Sequence, residues 1–113
     1  MDYFFIGEAE LVTAFRFVGI EGQAVSGEED ARAVFEKCTR GWDETARAFL
    51  PGAISCRVLI ITEETAVWLG KTLTDWQIKG AYPLVVEIPG TLGHLPGHKT
   101  LVDAIREAIG VHV

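Results

Sequence analysis

Short apolar runs alternate with helical patterns along this chain. The first run, YFFI at 3–6, ends at Gly7, which predicts a strand. The apolar positions that follow have the i, i+3, i+4, i+7 spacing of a helix packed on one side. These positions are Leu11, Ala14, Phe15 and Val18.

The second unit repeats this order. An extended segment at about 20–25 precedes Ser26, and Ser26 with Glu29 forms the pattern of a capping box, in which both side chains bond backbone N–H groups at a helix start. The inner face of the predicted helix consists of Ala31, Val34, Phe35 and Cys38.

The third unit begins with RVLIIT at 57–62, a continuous apolar run typical of a strand buried on both faces of a parallel sheet. Thr62 is placed to cap the next helix, and Glu63 and Glu64 in its first turn suit the positive end of the helix dipole. The inner face of this helix consists of Ala66, Leu69, Leu73 and Trp76.

The fourth unit is a strand at 81–90 followed by a glycine-rich loop and a last helix at about 99–110. Apolar residues mark that helix, and Gly110 suits the position just after its end. Between the second and third units, residues 40–55 form an excursion. It is predicted to contain a short helical turn with Ala46, Phe49 and Leu50 before a Pro-Gly stop.

Four alternating strands and helices predict an α/β fold with a four-stranded parallel sheet, helices on both faces and right-handed crossovers. We expect the strand order 2-1-3-4 of a small Rossmann-like fold, as in flavodoxins and receiver domains. A length of 113 residues is that of one domain, so we expect a single domain over 1–113.

The composition and charge of the chain exclude some classes of binding partner. Hydrophobic residues make up 49% and the formal net charge is −6, a globular balance without a basic footprint for nucleic acid or an anionic membrane. The first ten residues lack a basic signal region, and no apolar run approaches the ~20 residues of a membrane span. We expect a cytosolic protein, with Cys38 and Cys56 as buried thiols that form no disulfide.

The stretch GTLGHLPGHKT at 90–100 lies where a phosphate-binding loop would lie, but its spacing differs from G-x-x-x-x-G-K-[ST]. Three residues separate Gly93 from Gly97, and Pro96 removes an N–H donor. Pro96 also breaks the helix that would align His94 and His98 on a metal. The sequence predicts no cofactor, no metal site and no nucleotide site.

The residues predicted at the carboxyl ends of the strands do not suit either a receiver domain or a flavin-binding domain. A receiver domain needs a phosphoacceptor aspartate after the third strand, where this chain has Thr62 and Glu63. A flavin phosphate loop is not acidic, whereas Glu8 and Glu10 follow the first strand. Nothing in the sequence demands an enzyme. A receiver-like or small-ligand-binding regulatory domain remains the alternative, because a fold does not fix function.

Several apolar side chains remain after the predicted core is filled. Val12 and Phe17 lie off the main stripe of the first helix, and Val102 and Ile109 lie off the inner stripe of the last. We interpret these four as candidates for a protein interface. Trp42, Trp68 and Trp76 suit either an interface or a well-filled core.

Four strings resemble segments of the F subunits of V-type and A-type rotary ATPases, in the same order and at nearly the same spacing. They are TAFRFVGI at 13–20, IITEETA at 60–66, YPLVVEIPG at 82–90 and LVDAIREAIGV at 101–111. The excursion at 40–55 is longer than expected for that family, and the glycine loop has a sequence of its own.

The resemblance implies a Rossmann-like component of the central stalk, without an active site. Such a component binds the coiled-coil axle, which is the D subunit, and turns with it inside the ring of catalytic A and B subunits. It would lie in the cytoplasm, peripheral to the membrane. We further interpret Gly90, Gly93 and Gly97 as a hinge that lets the last helix exchange between its own sheet and the axle.

Overall fold

A computed structural model describes residues 2–52, 55–91 and 93. The predicted last helix, with Val102 and Ile109, lies outside these residues. The elements in chain order are β1 (Tyr3–Gly7), α1 (Ala9–Phe17), β2 (Glu21–Ala24), α2 (Glu28–Thr39), β3 (Trp42–Asp43), β4 (Ala48–Phe49), β5 (Val58–Thr62), α3 (Glu63–Leu69), α4 (Lys71–Lys79) and β6 (Leu84–Ile88).

The main sheet has four strands in the order β2-β1-β5-β6, and all its pairs are parallel. Counted over this sheet alone, the order is the predicted 2-1-3-4. Each of the four predicted extended segments supplies one strand. The α/β class and the Rossmann-like topology are therefore confirmed.

One face of the sheet carries the main core. Phe4, Ile6, Leu59, Ile61 and Val85 alternate with residues of the opposite face and pack under α2 and α3. The predicted inner face of α2 is fully confirmed, because all four of its residues are buried. Phe35 of this helix meets the half-buried Trp76 edge to face, with ring centroids 6.2 Å apart.

The opposite face is covered by α1 over β1 and β2, so helices lie on both faces as predicted. Phe5 on this face stacks on Phe15, with ring centroids 4.5 Å apart. Gly22 of β2 gives Phe5 room, since a Cβ at that position would lie 2.6 Å from the Phe5 carbonyl oxygen.

The apolar stripe predicted for α1 is only partly correct, because Leu11 and Phe15 of this stripe are half-buried. Val12 is the buried residue of this helix, whereas Ala14 and Val18 are exposed. The helix ends at Phe17, and Gly19 then turns the chain with a φ of 87°. Val18 therefore lies beyond the regular helix, and the packed face is rotated toward Val12.

The start of α2 differs from the predicted capping box in its partners. Gly27 is the N-cap, and the Asp30 carboxylate accepts the backbone N–H groups of Ser26 at 2.7 Å and Gly27 at 2.9 Å. Glu29 is not the capping carboxylate. The Ser26 N–H above all lowers the pKa of Asp30 below its usual value.

The third helical pattern gives two helices instead of one. Thr62 caps α3 as predicted, its hydroxyl accepting the Thr65 N–H at 3.3 Å. Gly70 then adopts a φ of 54°, which separates α3 from α4. The predicted inner face survives the break, because Leu69 and Leu73 on either side of it are both buried.

The excursion at 40–55 does not contain the predicted helical turn. β3 and β4 form a small antiparallel hairpin in which Trp42 pairs with Phe49. The Asp43 carboxylate accepts the N–H groups of Thr45 and Ala46, so the hairpin turn is stabilised locally. The aromatic pair, with ring centroids 5.3 Å apart, stabilises strands where the local composition favoured a helix.

Candidate functional site

The strand order reverses between β1 and β5, and ligands of open α/β sheets bind in the crevice beyond the carboxyl ends of two such strands. Gly7 and Glu8 lie at the end of β1, and Thr62 and Glu63 at the end of β5. This switch-point crevice is therefore the first place to look for a site.

The β5 side of the crevice is closely packed. Thr62, Glu63 and Thr65 are all buried, and the hydroxyls of the two threonines are 2.9 Å apart. The methyl group of Thr62 and the ring of Phe5 also leave no room for a side chain at Gly7, where a Cβ would lie 2.8 Å from Thr62 Cγ2. These residues stabilise the start of α3 and fill the floor of the crevice.

The β1 side of the crevice is bridged by the chain itself. Glu8 accepts the backbone N–H of Thr91 at 3.0 Å, so the turn after β6 reaches across to the end of β1. The second oxygen of the Glu8 carboxylate accepts the Thr91 hydroxyl. In the sequence Glu8 resembles an ordinary helix-start residue, and this contact over 83 positions has no local signal.

The crevice has the wrong charge for a phosphate. The carboxylates of Glu8 and Glu64 both approach Gly90: a Cβ there would lie 2.2 Å from Glu8 Oε1 and 3.8 Å from Glu64 Oε1. In the part of the chain that the structure describes, no three His, Cys, Asp or Glu side chains are grouped to hold a metal ion. His94 and His98 lie outside it.

We expect this 113-residue chain not to bind ATP, because carboxylates repel phosphate at the switch-point crevice and the 90–100 loop has the wrong spacing. Titration calorimetry with ATP and magnesium should give no binding stronger than about 1 mM. A dissociation constant in the micromolar range would contradict the prediction.

A second candidate site is the part of the sheet that α1 does not cover. Strand register places Tyr3, Val58 and Leu84 side by side in one row across β1, β5 and β6. Phe5, Ile60 and Val86 form the next row on the same side of the sheet. We call the surface formed by Tyr3, Val58, Ile60, Leu84 and Val86 the open face.

The open face is apolar and accessible. Tyr3 is 48% exposed, Leu84 50% and Val86 43%, while Val58 and Ile60 are half-buried. The run at 57–62 was predicted to be buried on both faces. Its core-side residues Leu59 and Ile61 are buried, whereas on the other side Thr62 is buried and Val58 and Ile60 are only half-buried. A contiguous apolar surface of this kind marks a place where another apolar element binds.

The predicted interface residues lie in different environments. Phe17 is 87% exposed at the end of α1, as an interface residue must be. Val12 is only 6% exposed, so the expectation that it was left over from the core is corrected. Gly90 and Gly93 lie in a turn after β6, and Gly97 lies outside the described residues.

The sequence pattern of one protein family, described as the ATP synthase (F/14-kDa) subunit, matches residues 4–109. The chain belongs to this family. Two V-type ATP synthase F subunits, from Clostridium botulinum strains Eklund 17B (Type B) and Alaska E43 (Type E3), are each 26% identical to it over 109 residues. The matches span 96% of this chain and 92% of each relative.

Membership in the ATP synthase (F/14-kDa) subunit family confirms the resemblance found in the sequence. None of the described helices is long and apolar enough to cross a bilayer.

Proposed function

We propose that this chain is the non-catalytic F subunit in the central stalk of a V-type rotary ATPase, cytoplasmic and peripheral to the membrane. It binds the coiled-coil axle, the D subunit, turns with it inside the ring of catalytic A and B subunits, and helps to couple ATP hydrolysis or synthesis to ion transport. Family membership and the names of the two relatives support this assignment.

The observation that carries the proposal is the open face, because its shape and chemistry suit a single helix. Three parallel strands at about 4.8 Å spacing form a surface as wide as a helix of about 10 Å diameter. The two rows of the open face and the covered Phe5 beside it are apolar, so the partner helix must carry an apolar stripe. A helix of a coiled coil carries such a stripe.

The fold itself indicates that a helix belongs there. On the core side, α2 and α3 cover the sheet, whereas on the opposite side α1 packs on β1 and β2. None of the described helices packs on this side of β5 and β6, where doubly wound folds carry a helix. We assign this half of the sheet to an axle helix that binds there when the last helix, predicted at about 99–110, leaves the sheet, with Phe17 at the end of α1 as a second contact.

Replacing Leu84 and Val86 together with serine is expected to weaken binding to the axle by at least about tenfold, because apolar contact at the centre of the interface is lost. The measurement is the dissociation constant for a purified helical-hairpin partner, by calorimetry or surface plasmon resonance. Phe17→Ser should weaken binding as well.

Val67→Ser is the matched control. Val67 is 54% exposed, like Val86, but lies on α3 on the other side of the sheet. The control should bind within about twofold of the unmodified chain. Equal dissociation constants for the Leu84/Val86 variant and the control would rule out the open face, and a contact made instead by residues 101–110 would then be the alternative to measure.

A further inference from the structure

The hairpin of β3 and β4 packs on the segment before β6 through aromatic side chains. Trp42 contacts Phe49 of its own hairpin and Tyr82, with ring centroids 5.3 Å and 5.5 Å away. Trp42 and Phe49 are only half-buried, and Tyr82 is 39% exposed. Leu50, directly after β4, adds an apolar side chain that is 50% exposed. An apolar surface is therefore open to solvent beside the hairpin.

A cation lies on this aromatic cluster. The Arg47 guanidinium lies over the Trp42 ring, 5.6 Å from the ring centroid, which is the distance of a cation–π contact. Its Nη2 donates to the Gly80 carbonyl at 3.4 Å. These two contacts orient the guanidinium plane. Because arginine carries five N–H donors in that plane, most of them are left for a further acceptor.

Glu44 of the hairpin turn is the carboxylate that faces Arg47, and it binds weakly. Its Oε1 is 3.9 Å from Arg47 Nη1, which is too far for a hydrogen bond, while its Oε2 accepts the Trp42 Nε1–H at 3.2 Å. The side chains of Arg47 and Glu44 are 56% and 59% exposed, so the pair adds little to stability. A carboxylate from another molecule would displace Glu44 at low cost and bind the guanidinium through two hydrogen bonds.

The backbone conformation of Arg47 is unfavourable for an arginine. Its φ is 51°, and among the described residues no other residue except glycine has a positive φ. Glycine or asparagine would adopt this left-handed conformation at a lower cost. The turn itself is already stabilised by the Asp43 carboxylate, which accepts the N–H groups of Thr45 and Ala46. Strained positions of this kind are concentrated at functional sites, so the guanidinium is the feature to explain.

Two further cations lie on either side of the hairpin segment. Arg40 follows the last residue of α2, and Arg57 directly precedes β5. Both side chains are exposed, and neither forms an ion pair with a carboxylate of the described residues. The Arg57 N–H donates to the Asp2 carbonyl at 3.1 Å, but this is a backbone contact. Both cations are therefore left for carboxylates from outside the described chain.

We propose that Arg47 and Trp42 form a docking site for an acidic segment of a partner protein. A carboxylate of the partner replaces Glu44 on the guanidinium, the two flanking arginines attract further carboxylates, and an apolar side chain of the same segment packs on Leu50. Tryptophan, tyrosine and arginine, which this surface combines, are the residue types enriched at the energetic centres of protein interfaces. The site shares no residue with the open face, so the proposal does not rest on axle binding.

Photo-cross-linking in the source cell tests the site. The 113-residue chain carries benzoylphenylalanine in place of Leu50, and mass spectrometry identifies the segment that is captured on irradiation. We expect one main adduct, with a protein segment that has several acidic residues within a few positions of the cross-link. Because the attraction is between exposed charges, irradiation after lysis in high salt should give less of the adduct.

Three variants separate docking from a structural role. Arg47→Gln removes the charge and should lower the yield of the adduct by about fivefold or more. Glu44→Gln removes the competing carboxylate and should raise the yield by about twofold, whereas a purely structural ion pair predicts no increase. Lys71→Gln is the matched control, because Lys71 is an exposed cation at the first residue of α4 and Gly80 follows the last. Its yield should stay unchanged.

Amide exchange shows whether the hairpin stays folded in each variant, because the Leu50 N–H donates to the Gly41 carbonyl at 2.6 Å. With an intact hairpin, an unchanged yield for Arg47→Gln overturns the proposal. If Arg47→Gln unfolds the hairpin, Glu44→Gln decides, and the absence of an increase overturns it. A captured segment without acidic residues, a cross-link to lipid or nucleic acid, or no adduct overturns it as well. None of these outcomes depends on whether the chain binds the axle.

Discussion

Phe5→Ala is expected to lower the free energy of unfolding by about 3–5 kcal/mol, a large part of the stability of a small domain. The Phe5 side chain has no exposed surface, and its ring stacks on Phe15. It also fills the space above Gly7, where a Cβ would lie 2.5 Å from Phe5 Cζ. Neighbours fixed in the sheet cannot collapse into the cavity. Urea unfolding followed by tryptophan fluorescence gives the value.

Phe17→Ala makes the same chemical change at an exposed site and is the control. Phe17 is 87% exposed, so its removal should change the free energy of unfolding by no more than about 0.5 kcal/mol. Phe5→Ala is expected to change the free energy of unfolding. Phe17→Ala should leave that quantity nearly unchanged, because Phe17 is assigned to the axle contact and not to the core. If Phe5→Ala lowered the free energy of unfolding no more than Phe17→Ala does, the described packing of α1 on the sheet would be contradicted.

Three of the four strands of the main sheet could be predicted from sequence because they are apolar runs, whereas β2 has the polar sequence EGQA. YFFI and RVLIIT have too many consecutive apolar residues for a surface helix, and each is followed by a helix start. The order follows from crossover rules that leave few alternatives. The inner face of α2 was predictable for a similar reason, because its helix is long enough for the period to be unambiguous.

The same reasoning was less successful for the shorter elements. α1 has nine residues, and its end at Phe17 is set by the turn at Gly19, so a stripe continued to Val18 predicted Leu11 and Phe15 correctly but missed Val12. In the 40–55 excursion, Trp42 contacts Phe49 and also Tyr82, with ring centroids 5.5 Å apart in the second pair. Contact with Tyr82, distant in sequence, overrode the local preference for a helix.

The candidate sites were the least predictable part. A continuous apolar run predicts that both faces of β5 are apolar, but it does not predict which helix covers each face. The open face therefore had no signal of its own. Glu8 and Thr91 are ordinary residues in their local contexts, and only the parallel pairing of β1, β5 and β6 brings their strand ends together.

Burial of the two cysteines in the core was predicted from the sequence, and it raises the pKa of both thiols. Cys38 at the end of α2 and Cys56 before β5 are buried as free thiols. Burial raises the pKa of Cys38 to about 12, with a further contribution from Cys56. Burial likewise raises the pKa of Cys56 to about 11.

These shifts predict that the fold loses stability in alkali. The ordinary thiol pKa is 9.0, so above that pH the unfolded chain releases thiol protons that the folded chain retains. The stability contribution is complete below pH 9 and is lost as pH rises toward the folded values. With 0% and 1% exposure, solvent screening is small, and we expect about 2 kcal/mol to be lost between pH 8 and 10.

The measurement is the free energy of unfolding in urea at several pH values under reducing conditions, for the unmodified chain and for the Cys38→Ala/Cys56→Ala variant. The two proteins differ only at the two cysteines, so the difference between the two pH profiles isolates the thiols. The variant is less stable at neutral pH because it loses two packed sulfur atoms, but its profile should be flatter above pH 9 by about 2 kcal/mol for each pH unit, roughly half of it from each thiol. Parallel profiles would mean that the thiols ionise as readily in the folded chain as in the unfolded one, and that the core around them admits water.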